Sequence, residues 1–279
     1  MSVYSFCPTE IQDVLSKVKL KNKGNKQDLN EVYELWCQWI HKFSGCENKI
    51  EWAVTNGIHD AIIQQVAHKS KYHNKFYIFD SDYKFYWHIL QPYNFETINW
   101  QSLDAIEPNS YIIVSQPNHI GQIHDQFDKL LEICRANNSK IFLDCAFYGS
   151  SLESLDTSDP IYDAVAFSLS KNFHLGGLRA GIVFGDDLAN TLTVPIHGKA
   201  FSYNYFNSPS VECAKKILAE FPADYITQIA KPIQQEYCKQ QGLEPCKIWM
   251  LAYNKTSLVC ITEEIKKEVQ HELHVLRRK

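Results

Sequence analysis

No basic tract and no acidic tail marks this chain of 279 residues: 28 Lys and Arg stand against 32 Asp and Glu, a formal net charge of -4. Nucleic-acid binding leaves a clustered basic footprint, so nucleic acid is not expected as a partner. There is no C-x-x-C pair either. The nine cysteines (Cys7, Cys37, Cys46, Cys134, Cys145, Cys213, Cys238, Cys246 and Cys260) are odd in number and scattered, which reads as reduced thiols in a cytosol, with no metal site expected. The longest apolar runs fall short of the roughly 20 residues that span a bilayer. Met1 to Cys7 is mildly apolar but not signal-like, so the expectation is a cytoplasmic protein with no membrane partner. No internal repeat or low-complexity linker interrupts the chain.

What the chain does have is apolar residue, 45% of the total, enough for a sizeable core. From Lys49 to Phe184, short β-branched or aromatic runs alternate with segments of helical period, the pattern of an α/β domain with a largely parallel sheet. Strands are predicted over Glu51–Thr55, Lys75–Phe79, Tyr111–Val114, Lys140–Asp144, Asp163–Ser168 and Gly181–Phe184. The clearest helix is His124–Ala136, where Phe127, Leu130, Leu131 and Cys134 share one face and Asp125 and Asp128 suit the first turn. Residues 9–43 read as helical around the polar break KNKGNKQD. Val211 to Lys279 reads as two helical stretches, two short strands (KIWMLAY, SLVCIT) and a charged final helix.

Ligands of open α/β sheets bind beyond the carboxyl ends of the strands, which singles out the loops there. Thr55, Asn56 and Gly57 open a helix, where backbone N–H groups suit an anion, although a plain turn would use the same residues. DSDY places Tyr83 where a ring could cover a flat ligand or simply fill core beside Phe85 and Tyr86. SQPNHIG carries Asn118, which could also be an ordinary turn residue. FLDCAFYG ends an apolar strand on Asp144, a carboxylate that needs a cation or a protonated nitrogen if buried. SLSKNFHLGGLRAG sets Lys171 and Arg179 among serines and glycines, whereas a lone cation is usually solvated.

Taken in order, these segments resemble the fold-type I pyridoxal-phosphate (PLP) enzymes, the aspartate aminotransferase superfamily, and especially its class I/II aminotransferases, from roughly Asp28 to Leu218. SLSKNFHLGGLRAG is similar to the family's S-x-S-K-x-x-G-L-x-G-x-R-x-G, with His174 replacing a glycine. The resemblance implies that Lys171 forms an aldimine with the cofactor and that Arg179 and Ser168 bind its phosphate. Asp144-Cys145-Ala146-Phe147 matches D-x-A-Y and implies that Asp144 pairs with the pyridine nitrogen. Asn118-His119-Ile120-Gly121 matches N-P-T-G and makes Asn118 the partner of the phenolic oxygen. VTNGIHDAI resembles the phosphate loop, with Asn56, Gly57 and the Ile58 amide, and Tyr83 would stack on the ring. The implied architecture is a three-layer α/β large domain with a mostly parallel sheet, residues 45–210, plus a reduced α+β small lobe from residues 1–44 and 211–279.

The implied chemistry is transamination of an amino acid or amine, with Lys171 as general base and Asp144 keeping the ring nitrogen protonated. A homodimer acting on a small-molecule substrate is implied, with Tyr203 or Tyr205 as cross-subunit contacts. The sequence also departs from the family. Phe147 replaces a tyrosine, leaving Tyr148 or a water to take over its hydroxyl's role; Ser81 and His119 replace prolines, so trans bonds are expected there, and His119 could face the substrate, although a solvated turn residue is the expected reading. The short terminal lobe offers only Arg277 and Arg278, neither in a motif that matches the family's carboxylate-binding arginine. These departures keep open a PLP-dependent lyase, decarboxylase or cyclase, and a catalytically silent relative acting as a binding subunit.

Overall fold

The computed structural model describes residues 5–20, 26–40, 51–188, 207–255 and 257–277. Helices α1 (Thr9–Ser16) and α2 (Lys26–Trp39) precede strand β1 (Glu51–Thr55) and helix α3 (Ile58–Lys69). Then follow β2 (Phe76–Phe79), α4 (Phe85–Leu90), β3 (Phe95–Ile98), β4 (Tyr111–Ser115), α5 (Phe127–Ala136), β5 (Lys140–Cys145), β6 (Tyr162–Ser168) and β7 (Gly181–Gly185). The terminal part holds α6 (Ser208–Glu220), α7 (Tyr225–Gln241), β8 (Glu244–Pro245), β9 (Leu251–Asn254), β10 (Ser257–Cys260) and α8 (Thr262–Arg277).

Seven strands form one sheet in the order β1-β7-β6-β5-β4-β2-β3. β3, β2, β4, β5 and β6 run parallel, and β7 is antiparallel to both of its neighbours. A parallel sheet needs cover on both faces, so its strands read as continuous apolar runs; β1, β4 and β7 are buried at every residue. Alternation sorts the two faces. Ala53, Ile78, Ile113, Phe142 and Val183 pack under α3 and α4, while Trp52, Val54, Ile112, Leu143 and Phe184 face the larger core built with the terminal helices.

All six predicted strands are present, each within one residue of its expected bounds. The helix expected at His124 begins at Phe127, so Asp128 lies in its first turn and Asp125 does not. Three elements were not read in the sequence, one of them the two-residue β8. β3, FETI, is a sheet-edge strand with its two central residues exposed, and α4 has only six residues, too few for a helical period to declare itself. In the terminal lobe, KIWMLAY forms a strand only from Leu251.

α2 packs on α6, α7 on α8, and α1 on both α6 and α8, so the two chain ends are interleaved. Trp39 Nε1 donates to the Phe221 carbonyl at 3.0 Å and packs edge-on against Tyr148, which fixes these helices to the sheet domain. No helix among the described residues is long and apolar enough to cross a membrane, and the described cysteines are free thiols.

Candidate active site

Strand direction brings the site segments to one edge. The register pairs Ser115 with Asp144, Asp144 with Ala166, Ser168 with Gly181, and Gly181 with Thr55. The loops after β1, β2, β4, β5 and β6 therefore open on the same side as the loop entering β7.

At one end of that edge, Thr55 Oγ1 donates to the Gly57 carbonyl at 3.1 Å and Gly57 takes φ +87°, a conformation that other residues rarely adopt. A Cβ on Gly57 would meet the Arg179 guanidinium at 3.3 Å, and one on Gly181 would meet Gly57 Cα at 2.9 Å. Two glycines thus let the ends of β1 and β7 close around Arg179. Arg179 itself is exposed, at φ +54°. Asn56 is exposed and donates from its backbone and side-chain nitrogens to Asp60. Ile58 is the first residue of α3, so its N–H is among the four that a helix leaves unbonded at its start. Ser168 is buried at the end of β6, where its Oγ accepts from Ser170 N at 3.4 Å.

At the other end lies Asp144, 5% exposed. Its Oδ1 accepts from Ala146 N at 2.8 Å and its Oδ2 from the Tyr86 hydroxyl. Burial pushes its carboxyl up to about 6, against the pull of those two hydrogen bonds and of the Lys171 charge. Asp82, in the loop after β2, accepts from Ser115 N at 3.0 Å. Burial pushes it up to about 8, with the Asp144 charge adding to the rise and the Ser115 hydrogen bond opposing it. Burial first, then the two carboxylates, push the Tyr86 phenol well above its ordinary value, so it remains a donor.

Lys171 Nζ lies 5.9 Å from the centre of the Tyr83 ring and 5.8 Å from that of Phe147. Tyr83 is exposed and stacks beside Phe85. Asn118 Oδ1 accepts from the backbone N–H groups of Ile120 and Gln122, at 3.1 and 3.2 Å, which leaves the amide's NH2 group available as a donor. The terminal lobe braces this loop: Ile248 N donates to Ile120 O at 3.0 Å, and a Cβ on Gly121 would strike Ile248 N at 2.5 Å.

The nine residues singled out in the sequence therefore fall on one edge, as an acid–lysine group (Tyr83, Asn118, Asp144, Lys171) and a glycine–arginine group (Asn56, Gly57, Ile58, Ser168, Arg179). Tyr148 does not stand in for the missing hydroxyl at Phe147: it is buried and donates to the Trp39 carbonyl at 3.2 Å. His119 is half-buried rather than solvated, and burial pushes its pKa down. The cis bond among the described residues is Gln116-Pro117, not one at Ser81 or His119. Arg277 donates to the Glu10 carbonyl at 3.0 Å. Arg278, Tyr203 and Tyr205 lie outside the described residues. Sequence reasoning missed Asp82 and Tyr86 as site residues; Tyr86 follows Tyr83 at helical spacing, but apolar filling explains an aromatic there equally well.

The mostly parallel seven-stranded sheet with its covering helices is that of a fold-type I PLP transferase, and solved structures share this fold. A PLP-bound C-S lyase from Staphylococcus hominis superimposes with a TM-score of 0.64 over 90% of this chain and 73% of its own, at 13% identity. A methionine aminotransferase from Escherichia coli gives 0.62, 98%, 82% and 14%. A probable N-succinyldiaminopimelate aminotransferase from Thermus thermophilus gives 0.63, 97%, 83% and 16%. At such identities the likeness is one of fold. The family is fixed by sequence: the aminotransferase class I and II model matches residues 90–240, and the chain belongs to that family of PLP-dependent transferases. Compared by sequence with curated proteins, the chain matches none.

Proposed function

We propose that this chain is a PLP-dependent aminotransferase taking an amino group from an amino acid or amine. The observation that carries the reading is the register that sets Asp144 beside Ser115 and Gly181 between Thr55 and Ser168, gathering an acid, a lysine and an arginine-backed glycine turn on one edge. The residues fit the cofactor at both ends. A buried carboxyl with a raised pKa suits a basic ring nitrogen, whose positive charge would favour its ionised form. The turn at Gly57, where a Cβ would press on Arg179, suits a phosphate at a helix N-terminus.

Bound here, PLP supplies a sink for the electrons left at the substrate's α-carbon. In this reading Arg179, Ser168 and the Asn56–Gly57–Ile58 turn would hold the phosphate, Asn118 would donate to the phenolic oxygen, Tyr83 would cover the ring and Asp144 would accept from the ring nitrogen. Lys171 would hold the cofactor through its amine, and its Nζ, when free, would take the substrate's α-proton as general base. The two-part organisation (residues 45–210, with 1–44 and 211–279 as the small lobe), a cytoplasmic location and a homodimer belong to the same proposal. The dimer is supported by the exposed aromatic side chains of Tyr83, Phe85 and Trp87 beside the site.

The test is an absorbance spectrum of the protein with PLP, followed through a panel of amino acids and repeated with Lys171→Ala. We expect a visible band that one amino donor bleaches to the pyridoxamine form and that the variant lacks. No band, or an equal band and equal turnover in the variant, would sink the assignment. A lyase, decarboxylase or cyclase reaction is the second reading, favoured by Phe147, which places no hydroxyl beside Lys171, and by the likeness to a C-S lyase. A band with product formation but no amino transfer would select it.

A further inference from the structure

The loop after β2 and helix α4 bring a second carboxyl and a phenol to the edge that holds Asp144. Asp82 is fixed by one donor, Ser115 N at 3.0 Å, and Ser115 is the register partner of Asp144. Asp144 has two donors, Ala146 N and the Tyr86 hydroxyl. A phenol has one hydrogen to give, and here Asp144 receives it. Two carboxylates sharing one site do not both ionise readily, and the one accepting more hydrogen bonds takes the charge.

We infer that Tyr86 and Asp82 are positioning residues that decide which carboxyl of this edge is ionised, so that Asp144 carries the charge and Asp82 keeps a proton. The groups that bear on the pair are Tyr86 on α4, Tyr83 before it, the N–H groups of Ser115 and Ala146, and Lys171 beyond β6. Lys171 acts on Asp144, on the same side of the balance as Tyr86. The directions agree: burial raises both acids, and Asp82 ends higher, at about 8 against about 6. The consequence rests on the reading of Asp144 as the partner of the ring nitrogen: that nitrogen would meet a carboxylate already charged and oriented, with no second negative charge beside it.

The test needs no cofactor. Carbon-13 signals of the aspartate carboxyls, with Asp144 assigned by its loss in Asp144→Asn, are followed against pH in the full chain with no PLP added. Tyr86→Phe should raise the Asp144 midpoint by about one pH unit, and Asp144→Asn, which removes the neighbouring charge, should lower the Asp82 midpoint, itself assigned by its loss in Asp82→Asn. A packing role alone would reduce stability and leave the midpoint in place, so an unmoved Asp144 midpoint in Tyr86→Phe overturns the inference. Should Tyr86→Phe not fold, Asp144→Asn decides: an Asp82 midpoint equal to wild type overturns it. PLP absorbance of the same wild-type sample reads the functional assignment separately, so either can fail while the other stands.

Discussion

At the edge of the sheet away from the site, Lys69 Nζ reaches Asp163 Oδ1 at 2.8 Å, with side chains 8% and 12% exposed, and Tyr111 donates to the other carboxyl oxygen at 2.9 Å. At the site edge, among the described residues, Lys171 lies within ion-pair distance of no carboxylate and rests against two rings, while Asp144 is held by a phenol and a backbone N–H. The same strands serve both edges. β4 runs from Tyr111 to Ser115, and β6 carries Asp163 near its start and ends three residues before Lys171. A lysine, an aspartate and a tyrosine can therefore close on one another or be kept apart by the same scaffold. The closed set ties β6 to α3; the open set leaves its charges directed at whatever enters.

Breaking the open set should have the largest effect, and on chemistry. Asp144→Asn should lower turnover by about 10²–10⁴-fold, the range for losing one positioned ionisable group, with no loss in denaturant midpoint, since a buried carboxylate is removed. Breaking the closed set should do the reverse. Lys69→Ala strands Asp163 without its cation and should cost about 3–5 kcal/mol of stability in a denaturant titration, with turnover per folded molecule unchanged. The comparison sharpens with pH. Asp82 binds its proton more tightly folded than unfolded, so the folded chain loses stability as pH rises from the ordinary carboxylate range through about 8. Asp82→Asn removes that loss, and its stability relative to wild type should grow between about pH 5 and about pH 9. The smallest effect falls on Arg277→Ala, where a half-exposed pair with Glu220 and one backbone contact should cost about 1 kcal/mol. The KM for amino donors should stay as in wild type, and a rise would place Arg277 on the substrate.

The sheet was legible because burial on both faces forces apolar runs, and those runs have little freedom in length: Tyr111 to Val114 and Lys140 to Asp144 read directly. β3 was not, because an edge strand with Glu96 and Thr97 exposed carries neither a continuous nor a one-sided apolar pattern. In the site, Lys171, Arg179 and Gly57 were readable through spacing and resemblance. Tyr86 was hidden because a buried tyrosine looks the same in sequence whether its hydroxyl is idle or holds a carboxylate. Asp82 was hidden because its neighbour Ser115 becomes a neighbour only through the pairing of strands separated by α4 and β3.

The pairing of Thr55 with Gly181, and the glycine contact beneath Arg179 that depends on it, also sets an order of events during synthesis. β1 and β7 lie at remote points of the chain but adjoin in the sheet, the kind of long-range closure that folding makes slowly. A ribosome adding about 5–20 residues per second releases the first strand roughly 6–25 s before the second. By the end of that interval β2, β4, β5 and β6 can already pair, but the turn at Gly57 has had nothing to close against. The glycine–arginine corner is thus among the last parts of the large sheet to form, and a chain halted before Gly181 lacks it however well the middle of its sheet has formed.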